Sequence, residues 1–135
     1  MVTRQLPLVP CVSFGGLDTR DAADLHVKAL TDDRAEGKRI IAAGAAFWLR
    51  EIAAALKARL GVRAARVSTR EAPDWLIRAG GLVNGEARFL AADLGKPRSY
   101  APGKAESIFG RTLRPLDEAV VAAAESLFQY GLVPA

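Results

Sequence analysis

The sequence predicts a helix-rich domain of mixed α and β structure. Short apolar runs alternate with amphipathic helices at the front of the chain, in the order strand, helix, strand, helix, which is typical of an α/β unit. The remainder consists of helical patterns bounded by Gly and Pro. With 135 residues, half of them hydrophobic and a quarter charged, the chain has the size and composition of one globular domain over residues 1–135.

Three strands are predicted, at residues 12–19, 39–43 and 65–69. Gly15 and Gly16 interrupt the first of them and indicate a bulge or a close backbone approach. Asp21 is the expected N-cap of the first helix, residues 22–30, because a carboxylate can accept from the free N–H groups of a first turn. The first strand therefore leads directly into a helix.

The helix that ends at Gly61 has the most regular pattern. Its apolar residues keep the i, i+3, i+4 spacing of one buried face: Leu49, Ile52, Ala53, Leu56 and Leu60. Further helices are predicted at residues 73–78, 86–94, 103–109 and 115–130. The expected buried face of the last one consists of Leu116, Ala119, Val120, Ala123 and Leu127.

Composition disfavours several classes of function. The formal charge of +4 is spread along the chain without a basic cluster, so nucleic-acid binding is not expected. Cys11 is the only cysteine, which rules out an intramolecular disulfide and a Cys/His zinc site and indicates a reducing, cytoplasmic setting. Cys11 itself is expected to be a small buried hydrophobe. No apolar stretch approaches membrane-spanning length.

Tyr100 and Lys104 have the spacing of a catalytic Tyr-Lys pair in short-chain reductases. That chemistry needs both side chains on one face of a continuous helix. Pro102 and Gly103 lie between them, and a proline disfavours the helical conformation of the residue before it. We therefore interpret the spacing as a coincidence and assign no catalytic residue in this chain.

Several pieces of the sequence, taken in order, resemble a known family. The segment LDTRDAADLH at residues 17–26 resembles the V-D-V-R-D-V-A-x-x-H element of extended short-chain dehydrogenase/reductases, in particular the dihydroflavonol-reductase-like and aldehyde-reductase branch. Later pieces that match the same branch are GKRII at 37–41, EIA at 51–53, PDWL at 73–76, S-x₄-KA at 99–105, IFG at 108–110 and RP at 114–115. Each piece is weak alone, and their ordered sum carries the resemblance.

The resemblance implies the C-terminal, substrate-binding lobe of an NAD(P)-dependent carbonyl reductase. The dinucleotide-binding Rossmann half of that family, with its Gly-rich turn and its Ser/Tyr/Lys set, has no counterpart in this sequence. We therefore expect the chain alone to bind no cofactor and to be catalytically inactive, while NAD(P)H and a small carbonyl substrate are implied for the complete enzyme. The sequence departs from the family pattern after Gly110, where Arg111 and Thr112 stand in place of an aromatic residue.

Three side chains are candidates for the substrate pocket. The resemblance places Arg20 near the floor of the active-site cleft, where a guanidinium could orient a carboxylate or phosphate; the alternative is that it pairs with a neighbouring Asp. Phe14 and Trp75 could line the same pocket or belong to the core. His26 has no partner in the sequence that suggests catalysis.

Two interpretations of the chain's partners remain open. As a reductase lobe, it should expose an apolar face that meets the missing Rossmann half or is covered by self-association. The alternative is a free-standing binding or assembly module derived from the same family. Neither interpretation involves nucleic acid or a membrane.

Overall fold

The computed structural model describes residues 7–133. Its two strands are β1 (Ser13–Gly15) and β2 (Ala46–Trp48), which pair antiparallel with Phe14 opposite Phe47. The helices are α1 (Thr19–Thr31), α2 (Leu49–Leu60), α3 (Asp74–Gly80), α4 (Gly85–Asp93), α5 (Gly103–Phe109) and α6 (Leu116–Gln129). The chain is thus helix-rich with one small sheet, which confirms the mixed α and β class at a coarse level.

The larger of two hydrophobic cores lies between α2 and α6. Ala53, Leu56 and Leu60 of α2 are buried against Ala124 of α6. Val9 completes this core from the front of the chain. Its N–H donates to the Arg70 carbonyl at 2.8 Å, and its own carbonyl accepts from Ala72 N–H at 2.9 Å. The regular apolar spacing of α2 therefore organises the main core, as predicted from the sequence.

A smaller core joins α1 to α5. Leu25, Ala105 and Phe109 are buried there, and Ile40 and Leu113 pack against them. Ile40 belongs to the predicted strand at residues 39–43, which instead forms no strand. Residues 46–48 pair with β1 in its place, and the side chain of Ile40 packs against the smaller core. A short apolar run cannot by itself distinguish a strand from an irregular segment that packs on a core.

Helices α3 and α4 form a hairpin that packs on itself. A Cβ on Gly81 would lie only 3.0 Å from the Cα of Arg88, so this glycine allows the close approach of the two helices. A Cβ on Gly80 would lie at an ordinary contact distance, 3.6 Å, from the Cβ of Ala87. Neither helix contains a buried residue. The Cys11 carbonyl accepts from Gly95 N–H at 2.8 Å and holds the end of the hairpin to the front of the chain.

Helix positions were predicted better than strand positions. Helix α5 has the predicted bounds Gly103–Phe109, and α2, α3, α4 and α6 lie within one or two residues of theirs. Gly61 and Gly110 end α2 and α5 with φ of +52° and +75°, which glycine adopts without a Cβ clash. The predicted strand at 65–69 is wrong: Val67 N–H donates to the Ala64 carbonyl in a turn.

Two further predictions needed correction. Asp18, not Asp21, is the N-cap of α1, which begins at Thr19, so the predicted strand at 12–19 shrinks to β1. The buried face of α6 is also rotated from the predicted one: Ala124 is buried, whereas Ala123 is exposed. Helix α6 is apolar around most of its circumference, so periodicity alone could not select the face that packs.

Replacement of Leu56 by Ala tests the main core. Leu56 is buried between α2 and α6, so we expect Leu56→Ala to lower the free energy of unfolding by about 2–5 kcal/mol through the cavity it leaves. Urea denaturation followed by circular dichroism measures this. Val62 lies just beyond α2 and is exposed, so Val62→Ala should change stability by no more than about 0.5 kcal/mol. Equal costs for the two variants would contradict the assignment of the core.

Candidate functional site

An open cleft lies between the loop that joins β1 to α1 and one face of α6. Its volume is about 480 Å³. The lining residues are Gly16, Leu17, Asp18, Thr19 and Arg20 from the loop and the start of α1, with Leu116, Ala119, Val120, Ala122, Ala123 and Ser126 from α6. Leu17, Leu116 and the alanines make the walls apolar, while Asp18 and Arg20 supply the charge. Such a lining suits a largely apolar ligand that carries one polar group.

Asp18 and Arg20 form a forked ion pair at the start of α1. Oδ1 of Asp18 accepts from the backbone N–H of Arg20 at 2.8 Å and from its Nε at 2.9 Å, while Oδ2 accepts from Nη2 at 2.6 Å. The Arg20 side chain holds the pKa of Asp18 at about 2, below the ordinary 3.8, and burial of the carboxyl opposes the shift only partly. One carboxylate thus caps the helix and fixes the guanidinium.

Arg20 also reaches across to α6. Its Nη2 lies 3.3 Å from Oε1 of Glu118, in the first turn of that helix. The guanidinium is about half exposed. Within residues 7–133, its Nη1 carries no hydrogen bond. Arg20 therefore stands at the edge of the cleft with one donor group available, while the rest of the guanidinium is used to tie α1 to α6.

Asp21 is a fully buried carboxylate that binds the connection between α5 and α6. Its Oδ1 accepts from Nη2 of Arg111 at 2.6 Å and from Nη1 of Arg114, and its Oδ2 accepts from the backbone N–H of Arg114 at 2.7 Å. The guanidinium of Arg111 also lies 4.0 Å above the ring of Phe109. These bonds satisfy both carboxylate oxygens and fix the entry of α6, which forms one wall of the cleft.

The two glycines before α1 are closely packed. A Cβ on Gly15 would lie 2.3 Å from the ring of Tyr100, and one on Gly16 would lie 2.4 Å from Leu116. The carbonyl of Gly16 accepts from Gly44 N–H at 2.7 Å. Side chains thus fill the space beside this strand-turn-helix connection, and the carboxylate of Asp18 occupies the N-terminus of α1.

The structure does not bring the three predicted pocket residues together. Arg20 lines the cleft and pairs with Asp18, a neighbouring Asp, which was the alternative to a ligand role. Phe14 packs against Phe47 with ring centroids 6.4 Å apart, and it does not line the cleft. Trp75 lies on α3 and is mostly exposed. A contact of any of the three with substrate stays a prediction.

The remaining singled-out residues lie outside the cleft. Nδ1 of His26 is 2.7 Å from the Ala22 carbonyl in the same helix. Tyr100 precedes α5 and packs beside Gly15, whereas Lys104 lies inside α5, so the two do not share a continuous helix.

The pKa of the Cys11 thiol is raised by burial and by the charges of Glu71 and Asp74. The thiol is accordingly protonated, and unreactive as a nucleophile, at neutral pH.

Sequence reasoning missed the partners that organise the site. Asp18 had a detectable signal, because an Asp directly before Thr-Arg-Asp is a good N-cap candidate with an acid in the following first turn. Arg111 stands out in the sequence only as a departure from the family pattern. Glu118 lies 98 residues from Arg20, and no local pattern connects the two.

Two kinds of feature are absent from the part of the chain that the structure describes. Over residues 7–133, no three His, Cys, Asp or Glu side chains are grouped so that they could hold a metal ion. No helix in the same range has the length and apolar character needed to cross a membrane.

Comparison with known proteins found no match to this chain. No protein-family model matches the chain, no curated protein matches it, and no solved structure matches it. The family resemblance therefore depends on the ordered sequence pieces alone, and function has to be argued from the site.

Replacement of Asp21 by Asn tests the buried ion network. The amide cannot accept from two guanidinium groups as the carboxylate does, so Asp21→Asn should lower the free energy of unfolding by about 2–4 kcal/mol. Asp24 is exposed in the same helix, and its Oδ2 lies 3.7 Å from Nη2 of Arg111. Asp24→Asn is therefore the matched control, and it should change the free energy of unfolding by no more than about 0.5 kcal/mol. A tolerated Asp21→Asn would show that the network does not fix the connection to α6.

The stability contributed by Asp18 should depend on pH. Its pKa is about 2 in the folded protein against 3.8 ordinarily, so its charge stabilises the fold above about pH 4, and this stabilisation is lost as the pH falls towards about 2. Asn keeps the capping oxygen but loses the charge. Because Arg20 is half exposed, we expect Asp18→Asn to cost only about 1 kcal/mol at neutral pH and only a small fraction of that at pH 2. Urea titrations at several pH values measure the difference; a constant difference would contradict the ion pair.

Proposed function

We propose that this chain is the substrate-binding lobe of an NAD(P)-dependent carbonyl reductase of the extended short-chain dehydrogenase/reductase type. The activity would be that of the dihydroflavonol- or aldehyde-reductase branch. The observation that carries the proposal is the convergence of two resembling segments, residues 17–26 and 114–115, beside one open cleft. Asp21 from the first segment binds Arg114 from the second, and the cleft is lined by residues 17–20 of the first segment and by Leu116, which follows the second.

The shape and lining of the cleft support this function. Its volume of about 480 Å³ is within the usual range for small-molecule sites, and one side is open. Apolar walls would receive the body of an aldehyde or ketone, and the available donor of Arg20 would orient a polar substituent on it. The contribution of the chain would be positioning and specificity, because Tyr100 and Lys104 do not share a continuous helix and neither of them lines the cleft.

The strand-turn-helix connection between β1 and α1 does not fit the pyrophosphate of a nicotinamide dinucleotide. A pyrophosphate site at a strand-turn-helix connection needs open space beside its glycines and a free helix N-terminus. Tyr100 and Leu116 fill the space beside Gly15 and Gly16, and Asp18 places a carboxylate at the helix N-terminus. A strand pair that is antiparallel also differs from the parallel sheet of a dinucleotide-binding fold. We therefore assign cofactor binding, and the chemistry that depends on it, to a separate half.

A free-standing binding module is the second candidate function. The exposed apolar residues on the α3–α4 hairpin favour it, because a surface of that kind commonly binds another protein. The two candidates differ in what the cleft does: a reductase lobe uses it for a carbonyl substrate, whereas an assembly module does not need it.

Reconstitution with a dinucleotide-binding half tests the proposal. The chain would be mixed with the separately produced Rossmann half of an aldehyde reductase of this branch, and oxidation of NADPH would be followed with a panel of aryl aldehydes and ketones. We expect neither part to turn over alone and the mixture to reduce at least one carbonyl. Ala123 is exposed and lines the cleft, so Ala123→Phe should lower kcat/KM at least about tenfold by filling it.

The matched control is Ala58→Phe on the exposed surface of α2, which should leave kcat/KM unchanged. Reduction of carbonyls by the chain alone would contradict the proposal, as would a mixture that is inactive with every carbonyl tested. Equal activity of the two Phe variants would show that the cleft does not receive the substrate.

A further inference from the structure

A second cavity lies between the segment that follows α1 and one face of α5. Its volume is about 280 Å³, and it shares no lining residue with the cleft. The lining residues are Arg34, Lys38 and Ile40 from the segment, with Gly103, Lys104, Ser107 and Ile108 from α5. We call it the basic cavity, because three of these seven residues are cationic and none is acidic.

Arg34 holds the two walls of the basic cavity together. Its Nη1 donates to the Ser107 carbonyl at 3.0 Å and its Nη2 to the Ile108 carbonyl at 3.3 Å, both near the end of α5. Asp32 orients the same guanidinium by accepting from Nε at 2.9 Å and from Nη2 at 2.7 Å. Because this carboxylate offsets the charge of Arg34, the excess positive charge of the cavity comes from the two lysines.

The two lysines reach the basic cavity from different segments. Gly37 turns the chain with a φ of +63° directly before Lys38, and Lys104 lies in the first turn of α5. Both side chains are exposed, and neither ammonium group forms an ion pair in the described part of the chain. Like charges gathered at one cavity repel each other, and an anion bound between them relieves that repulsion.

The charge and the lining of the basic cavity together define the ligand it suits. Two ammonium groups without a counter-ion match a phosphate monoester, which carries a charge of about −1.5 to −2 at neutral pH. The hydroxyl of Ser107 is a further donor in the same lining. Ile40 and the buried Ile108 supply an apolar surface beside these polar groups. A volume just below the usual range of small-molecule sites, about 300–1,000 Å³, restricts the ligand to a small one.

We propose that the basic cavity binds a small phosphate monoester whose organic part is a single ring or a short alkyl chain. The phosphate group lies between Lys38 and Lys104, and the organic part contacts Ile40 and Ile108. This inference does not depend on the proposed function, because different residues line the cleft. Inorganic phosphate and an apolar carboxylate are the competing ligands, and the experiment below distinguishes them.

Titration of the full chain with phenyl phosphate, followed by the amide chemical shifts of the labelled protein, tests the proposal. We expect saturable changes at residues 38–40 and 103–108. The dissociation constant should be at least about fivefold lower than that of inorganic phosphate, which has no apolar part to bury. Benzoate carries a single negative charge and should bind at least about threefold more weakly than phenyl phosphate. Phenol, which has no anionic group at neutral pH, should cause no saturable change.

Removal of the two lysines from the cavity separates local binding from general attraction to a basic chain. The double variant Lys38→Gln/Lys104→Gln should raise the dissociation constant of phenyl phosphate at least about tenfold. The matched control is Lys57→Gln/Lys96→Gln, which removes the same charge from exposed positions outside the cavity and should bind like the parent chain. Circular dichroism checks that both double variants keep their helices.

Three kinds of result would overturn the proposal. Phenyl phosphate that causes no saturable change at the basic cavity would show that the cavity is not a ligand site. An equal loss of affinity in the two double variants would show attraction to the overall charge of the chain. Inorganic phosphate, benzoate or phenol that binds as tightly as phenyl phosphate would contradict the assignment of a phosphate monoester with an apolar part.

Discussion

The buried carboxylate of Asp21 is the interaction on which the arrangement of the site depends. It lies in the first turn of α1 and binds two arginines more than 85 residues away in sequence, on the connection that leads into α6. Removal of a charge from water is costly unless that charge is fully paired, and here every oxygen has a donor. A single side chain thus sets where α6 starts relative to α1, and the cleft is the space between them.

The ion pair of Asp18 and Arg20 extends this constraint to the edge of the cleft. Asp18 caps α1 and orients the guanidinium, which then reaches Glu118 on α6. A guanidinium held by two carboxylates loses little further conformational entropy when its remaining donor meets a ligand. The pairing of Arg20 with Asp18 was expected as the alternative to ligand binding. It is compatible with the proposed contact between Arg20 and a substrate.

Helices were predictable here because their signals are local. Gly110 after a short apolar segment was sufficient to place α5, and the spacing of Leu56 and Leu60 was sufficient to place α2. Strand positions were not predictable in this way, because a strand forms only where a partner offers an unpaired edge. Residues 46–48 pair with β1, whereas the predicted strand at residues 39–43 does not.

The site was predictable only in part, for the same physical reason. Arg20 was identified from its position in a resembling segment, but its partner Glu118 and the network of Asp21 depend on contacts between distant segments. Trp75 shows the converse: an aromatic residue in an apolar helix was expected to be in a pocket or in the core, and the folded hairpin leaves it mostly exposed.

The most direct test of the account is a map of where a carbonyl ligand binds. Amide chemical shifts of the labelled chain, bound to a reductase Rossmann half, would be recorded with and without an aryl aldehyde. We predict that the largest changes fall on Gly16 to Arg20 and on the cleft-lining residues of α6 between Ala119 and Ser126. Changes confined to the α3–α4 hairpin, or spread evenly over the surface, would contradict the assignment of the cleft as the substrate site.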